Sequence, residues 1–234
     1  MTVTLDTPDG AMEVYEAAPD GEPRGAVIVI QEAFGVNDHI QDVTRRVAAA
    51  GYLGVAPALF HRAGGGTAAY DDFSKVMPLF EGVSDDGVLA DVDATIALLE
   101  GRGFDRSRIG IVGFCFGGRV TFLVAARRRI GAAVTFYGGG IVTGSPLGYD
   151  ALLDEAATLQ TPWLGLFGDL DQGIPVEGVE ELRGRAGDAA VATEIVRYAD
   201  AEHGFHCDAR ASYHEASAKD AWQRTLDWFA THLG

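Results

Sequence analysis

The chain has 234 residues and a formal net charge of −16, because 34 acidic side chains outnumber 18 Lys and Arg. Hydrophobic residues make up 47% of it and charged residues 22%, which excludes a disordered or fibrous protein and is typical of a soluble globular one. The acidity excludes a nucleic-acid binder, which needs basic surface to displace counterions from phosphates. The length predicts one α/β domain over residues 1–234.

Strand and helix patterns alternate along the chain. A period-two pattern predicts a half-buried strand at 12–17, and continuous apolar runs predict strands buried on both faces. These buried runs, together with a more alternating one at the end, are 25–30, 53–56, 109–112, 132–136, 164–167 and 193–196. Apolar stripes at helical spacing predict helices after Asn37, after Ser84, over 120–126 and over 218–229. The alternation predicts an α/β fold with a mostly parallel central sheet flanked by helices on both faces. The glycine-rich crossover at 59–83 is predicted to form a cap.

Cysteine usage and the apolar runs bear on the cellular compartment. Only Cys115 and Cys207 occur, with no CxxC pair, so neither a disulfide framework nor a zinc site is predicted, and we expect no metal and no cofactor. The start of the chain has no basic and apolar leader, and no run approaches the length of a membrane span. These features predict a cytoplasmic protein with no membrane partner.

The sharpest local motif is GFCFGG at 113–118, between a predicted buried strand and a predicted helix. A nucleophile flanked by glycines two residues away on each side is typical of the nucleophile elbow of α/β-hydrolases. The tight turn would present Cys115 at the N-terminal end of the helix, where the helix dipole favours a thiolate. The alternative is that Cys115 is a buried core cysteine beside a glycine-rich loop.

The order of the other polar residues fits this hydrolase interpretation. In α/β-hydrolases the nucleophile is followed along the chain by an acid and then by a histidine. Asp171 follows the predicted strand at 164–167, with Asp169 as the alternative acid, and His203 follows the strand at 193–196, with His206 as the alternative base. The remaining histidines are predicted to lie at the surface or in loops: His39, His61, His214 and His232.

Four segments together resemble the dienelactone hydrolase (carboxymethylenebutenolidase) family. They are QEAFGVN at 31–37, GFCFGG at 113–118 and the loops that carry Asp171 and His203, and the likeness extends over nearly the whole chain. The resemblance implies a catalytic triad of Cys115, His203 and Asp171.

The resemblance also implies further site residues. A glutamate, here Glu32, stands beside the thiol, and the backbone N–H groups of Ala33 and Phe116 form an oxyanion hole. Independently, Glu32 follows a buried strand at the sheet edge where α/β active sites form, and the alternative is a solvated loop glutamate.

Substrate-binding residues depart from the family pattern. Tyr137 follows the strand at 132–136 and is a pocket candidate, with a purely packing role as the alternative. The family uses two arginines to hold the substrate carboxylate, and the crossover offers only Arg62 as one of them. Where the other is expected, four residues after the histidine, this chain has Cys207, and Arg210 is displaced from that position.

The sequence therefore predicts a hydrolase of small-molecule esters or enol lactones that acts through a thioacyl-enzyme intermediate, as a monomer or small homo-oligomer. An alternative prediction is a thiol-based redox or acyl-transfer protein that uses Cys115 together with Cys207.

Overall fold

The structure is a computed structural model, and it describes residues 1–145 and 148–233. One eight-stranded sheet runs through it in the order β1-β2-β4-β3-β5-β6-β7-β8. The strands are β1 (Thr2–Thr7), β2 (Gly10–Ala17), β3 (Ala26–Ile30), β4 (Leu53–Pro57), β5 (Ile109–Phe114), β6 (Ala132–Phe136), β7 (Trp163–Gly168) and β8 (Thr193–Tyr198). β2 is antiparallel to both β1 and β4, and every pairing from β4 to β8 is parallel. This confirms the predicted mostly parallel sheet.

Helices connect the parallel strands. They are α1 (Asp38–Ala49), the single turn α2 (Val76–Leu79), α3 (Asp85–Gly101), α4 (Phe116–Arg127), α5 (Val176–Ala186) and α6 (Glu215–His232). The strand order extends from β3 in both directions, so right-handed crossovers place helices on both faces of the sheet. The predicted caps are present: the Asn37 side chain accepts from the Ile40 N–H at 3.2 Å, and Ser84 Oγ accepts from the Gly87 N–H at 3.1 Å.

The sequence patterns missed β1 and α5. The apolar face of β1 consists only of Val3 and Leu5, both of them partly exposed, which is too short a pattern to mark a strand. Only Val179, Leu182 and Ala186 of α5 are buried, too few to stand out as a stripe. The strand predicted at 53–56 extends one residue further, because Pro57 is the last residue of β4, opposite Val14, where a missing N–H is tolerated.

The buried strands bring the site residues to one edge of the sheet. Every residue of β3, β5, β6 and β7 is buried, and these four strands are parallel neighbours. Glu32, Cys115, Tyr137 and Asp171 each follow the carboxyl end of one of these strands, so they meet where α/β sheets form their sites. Within the described ranges, no helix combines the length and apolar character needed to cross a membrane.

Candidate active site

Cys115 occupies a strained turn between β5 and α4. Its φ is +56° and its ψ −115°, a conformation that is costly for a residue with a Cβ. The turn is held by hydrogen bonds: the Cys115 N–H donates to Phe136 O at 3.1 Å, and Cys115 O accepts from the Gly118 N–H at 3.0 Å. The thiol is half-buried at the N-terminal end of α4, where unpaired N–H groups and the helix dipole favour negative charge.

The neighbouring glycines permit this turn. A Cβ on Gly113 would overlap the carbonyl of Gly117. A Cβ on Gly117 would lie 2.5 Å from the carbonyl oxygen of Ile30, which is closer than real Cβ contacts come. The elbow therefore packs backbone against backbone between β3, β5 and α4, which is the steric reason for the glycine spacing read from the sequence.

His203 and Asp171 form a hydrogen-bonded pair at the same sheet edge. His203 Nδ1 lies 2.6 Å from Asp171 Oδ2, and the Asp171 side chain is 2% exposed. The other oxygen, Asp171 Oδ1, accepts from the Gly173 N–H at 2.8 Å, so the carboxylate is fixed from both sides. This geometry holds the imidazole in one tautomer and leaves Nε2 free to face a nucleophile.

The alternative acid and base lie elsewhere. Both oxygens of Asp169 accept from the Arg197 guanidinium, at 2.8 and 2.7 Å, so Asp169 serves a surface ion pair. The His206 ring stacks on Phe114 with centroids 5.2 Å apart, and burial lowers the pKa of His206 to about 3. His206 is therefore a neutral packing group in an aromatic cluster. The histidine that the structure brings to Asp171 is His203.

The charge state of His203 depends on its neighbours. Burial alone would lower its pKa, but the negative charge of Cys115 and the hydrogen bond with Asp171 outweigh burial and raise the pKa of His203 to about 10. The imidazolium is therefore favoured across the neutral range. Because this pKa exceeds the ordinary value near 6.5, protonation of His203 stabilises the fold, and the full stabilisation is present below about pH 6.5. That stabilisation is lost as the pH rises toward 10.

A titration tests this coupling. In the unsubstituted protein, the His203 ring NMR signals are expected to remain those of imidazolium through pH 8. In Cys115→Ala, the midpoint should fall by more than about one pH unit, because the thiolate charge is gone while burial remains. Cys207→Ala serves as the matched control and should leave the midpoint in place. An unchanged midpoint in Cys115→Ala would show that the two side chains do not interact electrostatically.

Glu32 is a fully buried carboxylate with two partners. Its Oε2 accepts from the Tyr70 hydroxyl at 2.8 Å, and its Oε1 lies 3.4 Å from Arg210 Nη1. The interpretation of Glu32 as a solvated loop residue is therefore wrong. Burial, reinforced by the Glu32 charge, raises the pKa of Tyr70, which keeps this hydroxyl a donor. For Arg210, burial opposes the charged form, but Glu32 compensates and the pKa is raised.

Arg210 lies beside Glu32 although its spacing from His203 does not match the family pattern. The chain after His203 folds back through consecutive turns, with Cys207 N–H donating to Gly204 O and Arg210 N–H to Cys207 O. Gly204 has φ +79°, and a Cβ there would overlap the Arg210 guanidinium. Counting residues could not reveal that these turns return an arginine to Glu32, although the glycine after the histidine is a signal for such a turn.

A cavity of about 370 Å³ opens at Cys115. Ala33 and Phe116 line it beside the cysteine, together with Phe80 from the crossover. Phe116 is the first residue of α4, where N–H groups have no partner inside the helix. The predicted oxyanion donors thus share one cavity with the predicted nucleophile.

Arg119 also lines this cavity, and sequence reasoning missed it. It stands one helical turn after Cys115 on α4, a spacing that could have singled it out. Its guanidinium forms a two-bond ion pair with Asp85, donates to Asp150 O at 2.8 Å and lies 4.9 Å from the Tyr149 ring centroid. These contacts hold the start of α3 and the loop at 149–150 around the cavity.

Two expected substrate ligands are corrected. The Arg62 guanidinium donates to both oxygens of Asp91, at 2.6 and 3.0 Å, and to Asp9 at 2.8 Å. Asp91 is fully buried and needs this cation, so Arg62 is a structural ion-pair residue rather than a substrate ligand. Tyr137 is completely buried and packs against His203 with ring centroids 5.1 Å apart. Its position supports the imidazole rather than contacting substrate.

The remaining cysteine and histidines complete the comparison with the sequence. Both cysteines are free, and Cys207 is fully buried, which raises the pKa of its thiol to about 11. Such a thiol is shielded and protonated, which disfavours a redox role with Cys115. The prediction of a surface or loop position was wrong for His39, which is buried on α1, whereas His61 lies in a turn of the crossover with its side chain 6% exposed and 3.1 Å from Asp91. In the described part of the chain, no group of three or more His, Cys, Asp or Glu side chains could hold a metal ion.

Comparisons with known proteins identify the family of the chain. The profile of the dienelactone hydrolase family matches residues 12–233. A protein of Escherichia coli strain K12 with the provisional name carboxymethylenebutenolidase is 43% identical over 234 residues, covering 95% of this chain and 83% of its own. A protein of Salmonella typhimurium with the same provisional name is 41% identical over 251 residues, covering 98% and 92%.

Solved structures give the same result. The crystal structure of a provisionally assigned dienelactone hydrolase from Klebsiella pneumoniae aligns with a TM-score of 0.88 at 41% identity, covering 99% of this chain and 98% of that one. An α/β serine hydrolase homologue from Coxiella burnetii aligns with a TM-score of 0.67 at 19% identity over 94% of this chain and 96% of that one, a likeness of fold alone. The chain therefore belongs to the dienelactone hydrolase family and is a hydrolase with the α/β-hydrolase fold.

Proposed function

We propose that this hydrolase cleaves small-molecule ester or enol-lactone bonds through a Cys115–His203–Asp171 triad and a thioacyl-enzyme intermediate. The observation that carries the proposal is the His203–Asp171 hydrogen bond of 2.6 Å, coupled electrostatically to a cysteine on a strained elbow at a helix N-terminus. The provisional names of the relatives, carboxymethylenebutenolidase and dienelactone hydrolase, support lactones as the substrate class.

Acylation takes place at the N-terminal end of α4, where the Cys115 thiolate and the backbone N–H groups lie together. The Cys115 thiolate attacks the carbonyl carbon, and the oxygen becomes an oxyanion that the N–H groups of Phe116 and Ala33 stabilise. One such donor contributes about 3–4 kcal/mol in enzymes where it has been removed. The tetrahedral intermediate then expels the alkoxide or enolate, which takes the proton from His203 imidazolium. An enol leaving group is a better one than an amine, so lactones and activated esters are preferred to amides.

Deacylation regenerates the thiolate. Neutral His203 takes a proton from water as the water attacks the thioester carbon, and Asp171 stabilises the imidazolium that forms. Collapse of the second tetrahedral intermediate breaks the C–S bond and releases the carboxylic acid. Tyr137, packed edge-to-face against the His203 ring, and the Gly173 N–H on Asp171 keep both catalytic groups in place.

Glu32 and Arg210 contribute opposite charges to the surroundings of the Cys115 thiol. A carboxylate beside a thiol raises the thiol's pKa, whereas the helix N-terminus lowers it. Arg210 and Tyr70 partly neutralise Glu32, so a substrate carboxylate that drew Arg210 away would change the charge that Cys115 experiences. In this proposal the arginine missing at position 207 is replaced in space by Arg210.

Trapping the acyl group tests the intermediate directly. The protein is mixed with p-nitrophenyl acetate, quenched in acid within milliseconds, digested and mapped by mass spectrometry. An acetyl group is expected on Cys115, as a hydroxylamine-sensitive thioester, both in the unsubstituted protein and in Cys207→Ser. Turnover with no acetyl group on Cys115, or with the label on Cys207, would refute the thioacyl route.

A further inference from the structure

A second cavity lies directly beside the catalytic one. Its volume is about 270 Å³, and it is bounded by the loop after β6, the turn after β7 and the first turns of α5. The two cavities share Gly140, Thr143 and Gly173 as lining residues. Two of these three have no side chain, so at this shared wall the two cavities are separated by little more than backbone and one threonine. We call it the α5 cavity.

The α5 cavity has an apolar interior. Its aliphatic and aromatic lining residues are Ile141, Val142, Phe167, Ile174, Val179 and Leu182. Its ionisable lining residues are Glu177 and Glu181, both exposed on α5, and no Lys or Arg among the described residues lines it. An anionic group would therefore be repelled at the rim and desolvated inside without a partner. The chemistry favours an uncharged hydrocarbon group.

The position of the α5 cavity connects it to the catalytic acid. Gly173 and Ile174, which line it, donate their N–H groups to Asp171 Oδ1 at 2.8 Å and Asp171 O at 3.3 Å. Gly138, at its inner wall, directly follows the residue that packs on the His203 ring. A group bound there would lie against the turn that holds the triad, next to an ester bound at Cys115.

We infer that the α5 cavity is a substrate subsite that receives an apolar alkyl or aryl substituent of the ester or lactone. This inference rests on the proposed function and names the substrate class within it. An apolar cavity of about 150 Å³ accommodates benzene, so this space takes roughly a phenyl ring or an alkyl chain of about six carbons. The substrate is thus an ester or lactone with a hydrophobic extension, which Cys115 attacks at one end while the α5 cavity holds the other.

Gly178 offers a way to fill the cavity. It lines the cavity from α5, and a Cβ built on it would lie 3.5 Å from Val142 Cγ1, an ordinary contact, so larger side chains extend toward the interior. Gly184 on the same helix is exposed, and a Cβ there meets no atom within 4 Å. Gly178→Leu and Gly184→Leu therefore add the same side chain and the same helix propensity to α5, but only the first changes the cavity.

The experiment measures kcat/KM over two ester series. One varies the acyl chain of p-nitrophenyl esters from acetate to octanoate, and the other varies the alcohol of acetate esters from ethyl to octyl. In the unsubstituted protein, one series is expected to rise by at least about 10-fold from its shortest to its optimal member, because each buried methylene contributes up to about 4-fold. Gly178→Leu should reduce that long-to-short ratio by about 10-fold, Gly178→Ala by less, and Gly184→Leu should leave it as it was.

The outcomes separate this inference from the proposed function. Flat or falling profiles in both series, or a rise that persists in Gly178→Leu, would overturn the subsite. A Gly178→Leu protein that loses short and long esters equally would also overturn it. Gly178→Ala adds a methyl group that makes only ordinary contacts, so it is expected to fold normally and serves as the control for misfolding of Gly178→Leu. Failure of the triad would instead appear as turnover without an acetyl group on Cys115, whatever the chain-length profile.

Discussion

Replacing Cys115 with alanine is expected to lower kcat/KM for an activated ester by about 10⁴-fold or more, as removal of a nucleophile does in related triads. Alanine cannot form the thioester, and the oxyanion donors alone give only the residual rate. Cys115 is only half-buried and its turn is held by backbone hydrogen bonds, so the protein should stay folded, with the thermal unfolding midpoint lowered only by the lost attraction between the thiolate and the His203 imidazolium. Steady-state hydrolysis of p-nitrophenyl acetate and a melting curve measure the two effects.

Two control variants test whether the loss of activity is specific to the Cys115 thiol. Cys207→Ala removes the other thiol and should keep activity within a few-fold, because Cys207 is buried away from the cavity lining. Cys115→Ser keeps a nucleophilic atom on the same elbow and should retain a little more activity than alanine. If Cys115→Ala kept more than a tenth of the activity, the thioacyl mechanism would have to be abandoned.

Replacing Asp171 with asparagine is expected to lower kcat by about 10³- to 10⁴-fold, because an amide no longer stabilises the imidazolium and can orient the wrong tautomer. The carboxylate is only 2% exposed and hydrogen-bonded to both His203 and the Gly173 N–H, so water has little access to take its place. The same substitution should lower the pKa of His203, because its hydrogen bond to a charged acceptor is lost. Stopped-flow kinetics and the histidine titration report both changes.

Asp169→Asn is the matched control for this prediction. Asp169 lies two residues earlier on the same loop, but its carboxylate pairs with Arg197 near the surface. Loss of this half-buried ion pair costs on the order of 1 kcal/mol of stability and should alter kcat by less than about 3-fold, because it lies away from His203. Equal effects of the two substitutions would mean that the loop, rather than the Asp171 carboxylate, supports the reaction.

Local chain chemistry was sufficient to predict the central part of the fold. The buried strands that became β3, β5, β6 and β7 are continuous apolar runs, and Asn37 and Ser84 are strong helix caps; both signals lie within a few residues of sequence. The glycines around Cys115 are equally local, because the elbow that they permit spans only the turn between one strand and one helix. The sequence did not predict β1 and α5, because their apolar patterns are weak and their stability comes from packing against neighbouring elements.

The sequence by itself determined the family and the α/β class, and it predicted Cys115, Asp171, His203 and Glu32 as candidate site residues, because each of these follows a predicted strand. Only the tertiary structure decided which charges surround them. It joined Arg62 to Asp91, returned Arg210 to Glu32 through turns after His203, placed Arg119 at the cavity, and opened the α5 cavity beside Cys115. The physical reason is that ion pairs and cavities are formed by side chains far apart in sequence, whose meeting depends on how turns and helices pack rather than on any local pattern.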